Sequence, residues 1–247
     1  MAKFSFSLLV VLSALFSHTL AALLVDYNAA RNDDPSKMGQ LNLEAARGDK
    51  PDKNSADLYI KADTDFRGIK CAHFHRKKGD IRAEYHALNK KTEAGKTYFI
   101  GYSFALGATP DALMVWQWKE YVANADGGSA GIPLSLEVRD GQLRFEYQAS
   151  ADAGRAVQWK TPVKTDTVYT VGIEIKAAAS GGYARLWWNG QPVTFATTKS
   201  ATVSGNMFPG RSDPKFGAYR GEAVEVDTYV YQVQIGNKKS ELDDKFF

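Results

Sequence analysis

Two dipeptides constrain this chain more than anything else in it. Asp140-Gly141 and Asn189-Gly190 each stand between runs in which apolar and polar residues alternate. Asp-Gly and Asn-Gly supply the positive φ angles of a type I′ turn, whose twist matches that of two antiparallel strands. Leu134-Ser135-Leu136-Glu137-Val138 and Leu143 to Tyr147 flank the first turn; Tyr183 to Trp188 and Gln191 to Phe195 flank the second. Further β-prone runs cover Tyr98 to Leu106, Leu113 to Tyr121, Val168 to Lys176 and Val224 to Ile235. Helical periodicity is nearly absent, and only Leu41 to Arg47 suggests a short helix. Many short strands with frequent turn signals predict an all-β fold: a β-jelly-roll sandwich of two antiparallel sheets with a concave cleft. No repeat or linker interrupts the pattern, so one domain is expected over residues 22–247. Its end, Asn237 to Phe247, reads as a charged, frayed tail.

The first 21 residues read as a signal peptide. Lys3 supplies the positive start, Leu8 to Phe16 the apolar stretch, and Thr19-Leu20-Ala21 a small-residue cleavage site. The chain is therefore expected to be secreted and extracellular, with no membrane partner. Cys71 is the single cysteine, so no intramolecular disulfide can form. Its apolar neighbours predict a buried small hydrophobe. Charge is nearly balanced, with 31 Lys and Arg against 28 Asp and Glu. That balance argues against a nucleic-acid partner, which requires a strongly basic face. Any attraction for an acidic partner must be local, and the chain is expected to act as a monomer.

Three segments carry such local chemistry. Alternation in Ile81 to Leu88 puts Arg82, Glu84 and His86 on one face and Ala83, Tyr85 and Ala87 on the other. In Met114 to Lys119 it puts Val115, Gln117 and Lys119 opposite Met114, Trp116 and Trp118. In Asp213 to Arg220 it puts Lys215, Gly217 and Tyr219 opposite Phe216 and Ala218, with Gly217 leaving an open floor for a ligand. Cations, an amide and a phenol together suit a sugar acid. His73 and His75 share a separate strand face and read as two exposed histidines. No His, Cys, Asp or Glu cluster has zinc-ligand spacing.

These segments resemble the motif strands of jelly-roll polysaccharide lyases. Arg82-Ala83-Glu84-Tyr85-His86 resembles the Arg-Ser-Glu-Leu-Arg strand of alginate lyases. Val115-Trp116-Gln117-Trp118 stands where those enzymes have Gln-Ile-His. Pro214 to Tyr219 is similar to their Tyr-Phe-Lys-Ala-Gly-x-Tyr strand. Ile81 to Leu88, Met114 to Tyr121, Ile132 to Gly141 and Asp213 to Gly236 together resemble polysaccharide lyase family 20, the fungal glucuronan lyases. Two departures from the alginate lyases stand out: Trp118 in place of the histidine, and His86 in place of the last arginine.

The resemblance implies a lyase acting on an acidic polysaccharide, polyglucuronate. Such an enzyme removes the C5 proton of a uronate and expels the 4-linked sugar. It implies Tyr219 as base and acid, with Gln117, Arg82 and His86 neutralising the carboxylate as an enolate forms. Lys215, Lys119, Glu84 and Val115 are the substrate-binding candidates, and Lys215 is placed to favour ionisation of Tyr219. In β-1,4-glucuronan the C5 hydrogen and the C4 oxygen lie on the same side, so one tyrosine can serve both. The resemblance also implies a structural calcium ion at Asp227 and no organic cofactor. Three alternatives stay open. One is a lyase for another polyuronate such as alginate. Another is a non-catalytic lectin-like module using Trp187 and Trp188. The third is a hydrolase, weakened because Glu225-Val226-Asp227-Thr228-Tyr229 lacks the further carboxylate of a Glu-x-Asp-x-x-Glu motif.

Overall fold

Both predicted hairpin turns form. Asp140 and Gly141 have φ of 51° and 67°, and Asn189 and Gly190 have 50° and 74°, the left-handed pair that a type I′ turn requires. The computed structural model describes residues 23–88, 92–120, 131–150, 152–207 and 212–247; the expected signal segment lies outside them.

In chain order the strands are β1 (Val25–Asn28), β2 (Gln40–Glu44), β3 (Leu58–Thr64), β4 (Lys70–Arg76), β5 (Arg82–His86), β6 (Thr97–Leu106), β7 (Leu113–Glu120) and β8 (Leu134–Arg139). Then follow β9 (Gln142–Tyr147), β10 (Ala156–Pro162), β11 (Tyr169–Lys176), β12 (Tyr183–Trp188), β13 (Gln191–Pro192), β14 (Val203–Ser204), β15 (Ser212–Tyr219) and β16 (Val226–Gly236). Among the described residues the only helical segments are short 3-10 turns. One sheet runs β13-β12-β11-β6-β16-β4-β3, with β1 on β16 and β14 on β12. The other runs β10-β9-β8-β7-β15-β5-β2. Every pairing is antiparallel, and strands distant in sequence, such as β6 and β16 or β7 and β15, lie side by side. This is the jelly-roll sandwich that the alternation predicts.

The two inner faces share one apolar core. Tyr102 of β6 meets Phe216 of β15 edge-on at 5.0 Å, and Phe74 of β4 meets Tyr85 of β5 at 6.0 Å, so rings bridge the sheets. Trp116 and Trp118 are both fully buried. Each fully buried side chain of this size contributes roughly 1.5–3 kcal/mol, which suits a fold with no disulfide. Cys71 is buried as expected, and burial pushes its thiol up to about 12.

Two expectations are corrected. Gln40–Glu44, which overlaps the segment Leu41 to Arg47 read as helical, is strand β2. Its Gln40-Leu41-Asn42-Leu43-Glu44 alternates with period two, and pairing with β5 overrides the helix propensity of leucine and glutamate. The tail is docked rather than frayed. Phe246 is fully buried, and a Cβ on Gly101 would come within 2.4 Å of its ring. A Cβ on Gly172 would come within 2.1 Å of its carbonyl oxygen. Two glycines on neighbouring strands thus make the seat for the last turn.

Candidate active site

The seven-stranded sheet places the three polar segments side by side. β15 lies between β7 and β5, and β2 flanks β5. Lys215 is opposite His86 on one side and Gln117 on the other. Tyr219 is opposite Arg82, and Asp213 is opposite Lys119. Arg82, Glu84, His86, Gln117, Lys119, Lys215 and Tyr219 therefore meet on one polar face, as the alternation predicts.

Glu84 organises this face. It is fully buried and accepts a hydrogen bond from the Gln117 amide. Its Oε2 lies 3.2 Å from Arg82 Nε and 3.8 Å from Lys215 Nζ. Burial pushes the Glu84 carboxyl up and the Lys215 ammonium down, because low polarity disfavours both charges. Lys119 is pushed down to about 8, first by burial and then by the charge of Lys215. Its Nζ donates to the carbonyls of Glu120 and Gly131 at 2.7 and 3.0 Å. His86 Nε2 lies 2.9 Å from Asp213 Oδ2, which fixes the ring.

β2 supplies two groups that the helical reading of this segment hides. Asn42 Oδ1 accepts from Arg82 Nη1 at 3.0 Å and from Lys215 Nζ at 3.1 Å. Glu44 Oε2 lies 3.2 Å from Arg82 Nη2. The period-two pattern of Gln40 to Glu44 was the available signal. Arg155 is a third residue missed in the sequence: its Nη1 donates to Ser135 Oγ at 3.3 Å and to Glu137 Oε2 at 3.1 Å.

Tyr219 ends β15, half-buried. The guanidinium carbons of Arg82 and Arg220 lie 4.7 and 5.2 Å from its ring centre. Lys215, expected to act on the phenol, engages Glu84 and Asn42. Arg220 has a left-handed φ of 66°. Its carbonyl accepts from the buried Arg76 guanidinium, and its N–H donates to Ile81 O at 3.0 Å. These bonds fix the chain just beyond Tyr219.

Three placements differ from the sequence reading. β7 pairs Met114 with Glu137 but Trp116 with Leu136, so Val115 is an extra residue, a β-bulge. The bulge turns Val115 into the core, fully buried, and brings Met114 to the polar face, where its sulfur lies 3.8 Å from Arg155. Val115 therefore lines no binding surface. Gly217 leaves no open floor: with φ of 133°, a Cβ there would lie 2.3 Å from the Ala83 carbonyl oxygen and 2.6 Å from the Phe74 ring. The glycine lets β15 approach β5 and the core. Trp118 points inward as the alternation predicts, donating to Met207 O at 3.0 Å. The residue two beyond Gln117 on the same face is Lys119.

Trp187 and Trp188 lie in β12 of the other sheet, where Trp188 stacks on Tyr169 at 4.8 Å. His73, His75 and Asp227 also lie in that sheet. They come together, with His73 Nε2 and His75 Nδ1 each 2.7 Å from Asp227 Oδ1.

A family model described as polysaccharide lyase matches residues 25–238. Among solved structures, an endo-β-1,4-glucuronan lyase from the fungus Trichoderma reesei superposes with a TM-score of 0.57 at 18% identity, covering 84% of this chain and 98% of that one. An alginate lyase from Pseudomonas aeruginosa gives 0.57 at 13% identity, covering 81% and 98%. A variant of the family 7 alginate lyase A1-II′, in complex with product, gives 0.57 at 16% identity, covering 83% and 99%. At such identities the likeness establishes the fold. No protein of curated function matches the sequence.

Proposed function

This chain belongs to the polysaccharide lyase family, and from that footing we propose that it is a secreted, endo-acting, monomeric enzyme cleaving β-1,4-linked polyglucuronate by β-elimination. One observation carries the reading. Tyr219, Gln117 and His86 stand on three adjacent strands and share one face with the cations Arg82, Lys119 and Lys215.

The chemistry follows from what such a face can do. A uronate carboxylate beside C5 makes the C5 proton hard to remove, because the resulting enolate carries a second negative charge. Gln117, His86 and Arg82 neutralise the carboxylate as that charge develops. Tyr219 accepts the C5 proton, the C4–O4 bond breaks, and the tyrosine returns a proton to the leaving O4. The products are a new sugar end and a residue with a C4=C5 double bond. Arg82 and Arg220 lie against the Tyr219 ring, so positive charge adjoins the proposed proton carrier.

Two features support glucuronan over polyguluronate. In glucuronan the C5 hydrogen and C4 oxygen share a side, which one tyrosine serves. Guluronate presents them on opposite sides, where a second group is required. On the face beyond Gln117 the position that a second imidazole would take carries Lys119. Polymannuronate shares the C4 and C5 configuration of glucuronan and differs at C2, where a site hydrogen-bonding an equatorial hydroxyl rejects an axial one.

The test is to incubate the protein with polyglucuronate, polymannuronate, polyguluronate and a neutral β-glucan, following ultraviolet absorbance and reducing ends. Absorbance rising fastest with polyglucuronate supports the reading. Reducing ends without absorbance would mean hydrolysis. Rapid cleavage of polyguluronate would keep the lyase and overturn the single-tyrosine mechanism.

A further inference from the structure

We propose that His73, His75 and Asp227 form a binding site for a divalent transition-metal ion of the zinc type, on the sheet that carries no part of the lyase face. Alternation along β4 sends Ala72 and Phe74 into the core and leaves His73 and His75 on the outer side. Across the ladder, β16 sets Asp227 opposite His75 and Tyr229 opposite His73. His73 Nε2, His75 Nδ1 and Asp227 Oδ1 all lie within 4.8 Å of one another. Both imidazole nitrogens address the same carboxylate oxygen, at 2.7 Å each. Three donors therefore converge from two strands at a partly exposed surface.

The surroundings hold the donors in place. Tyr59 of β3 stacks on His75 at 4.8 Å and 21°, and Tyr229 lies against His73 at 5.0 Å. Asp63 Oδ2 lies 3.4 Å from His73 Nδ1. That is the carboxylate–histidine relation of many metal sites: Nδ1–H donates outward and the Nε2 lone pair is directed to the ion. Without an ion, His73 faces a carboxylate through each ring nitrogen, yet a neutral imidazole has one N–H to give.

The donor set also selects the ion. Calcium takes about six to eight oxygen ligands. Two imidazoles and one carboxylate suit zinc, nickel, cobalt or copper instead. The calcium expected at Asp227 therefore does not fit these residues. An ion here would join β4 to β16 through residues 152 and 154 positions apart, and would bind the folded chain in preference to the unfolded one.

The experiment uses the full mature chain, stripped with chelator, and reads binding and melting without reference to activity. Calorimetric titration with Zn2+ should show one site per chain, and saturating Zn2+ should raise the melting temperature by about 5 °C or more. Ca2+ should do neither. The double variant H73A/H75A should lose at least a hundredfold in Zn2+ affinity. Should it fold poorly, D227N preserves side-chain shape, removes the charged donor and should show the same loss. Zn2+ binding unchanged in folded variants, a Ca2+ response in place of Zn2+, or no binding to the stripped protein would each overturn the proposal.

Discussion

Arg82 and Tyr219 face each other across β5 and β15, with the guanidinium carbon 4.7 Å from the centre of the phenol ring. The same guanidinium reaches Asn42, Glu44 and Glu84. The arginine thus holds the tyrosine from a site that is itself braced on two strands. Tyr219→Phe keeps the ring and its cation contacts and deletes only the oxygen. We expect turnover on polyglucuronate to fall at least about a hundredfold, the scale of general acid–base catalysis, with an unchanged melting temperature. Ultraviolet product formation and thermal melts check both halves.

Glu84 predicts a stability effect that depends on what replaces it. Glu84→Ala removes one buried carboxylate from Arg82 and Lys215, leaving them to Glu44 and Asn42, and should cost about 3–5 kcal/mol. Glu84→Gln still accepts from Gln117 and should cost less. Urea unfolding of the three proteins gives the order; a Glu84→Gln protein as stable as the parent would mean that the carboxylate does not balance the two cations.

Lys119 predicts a pH dependence. An ammonium pushed down to about 8 is charged below that pH and neutral above it, while uronate carboxylates stay ionised throughout. A cation that binds the substrate is therefore lost as pH rises through about 8, and KM should climb there while staying flat below. Lys119→Arg remains charged and should abolish the climb. KM measured across that range in both proteins decides it.

The docked tail predicts that a residue next to the end of the chain is structural. Phe246→Ala empties the seat above Gly101 and should destabilise the fold by about 3–5 kcal/mol, as other buried phenylalanine truncations do. At temperatures well below melting, turnover should be unaffected, since Phe246 packs on the sheet away from Tyr219. Chemical denaturation and a rate assay test the two claims separately.

Local chemistry made much of this molecule readable. The turns at Asp140-Gly141 and Asn189-Gly190 need positive φ, and few residues supply it cheaply. Alternation placed Arg82, Glu84 and His86 together because a strand has only two sides. It failed at Val115 because a bulge adds a residue that no period-two count anticipates. The role of Gly217 was hidden because the atoms it must avoid, the Ala83 carbonyl and the Phe74 ring, belong to other strands. His73 and His75 looked like surface histidines because their partner is Asp227, which is brought beside them only by the β4–β16 ladder. Phe246 looked like part of a frayed end because its seat is two glycines, whose absent side chains leave no apolar signal. Propensity misread Leu41 to Glu44, where the alternating pattern was the better guide.

The order in which strands leave the ribosome gives the sheet topology a further meaning. β15 joins β7 to β5 in one sheet, and β16 joins β6 to β4 in the other. Both central strands come from residues 212–236 of 247. A nascent chain cut before them has each sheet split down the middle, with open edges on both halves. It also lacks Lys215 and Tyr219, so the polar face is assembled only once β15 has been made. An enzyme of this design reaches its working form only after the two strands that join the halves of its sheets have been made.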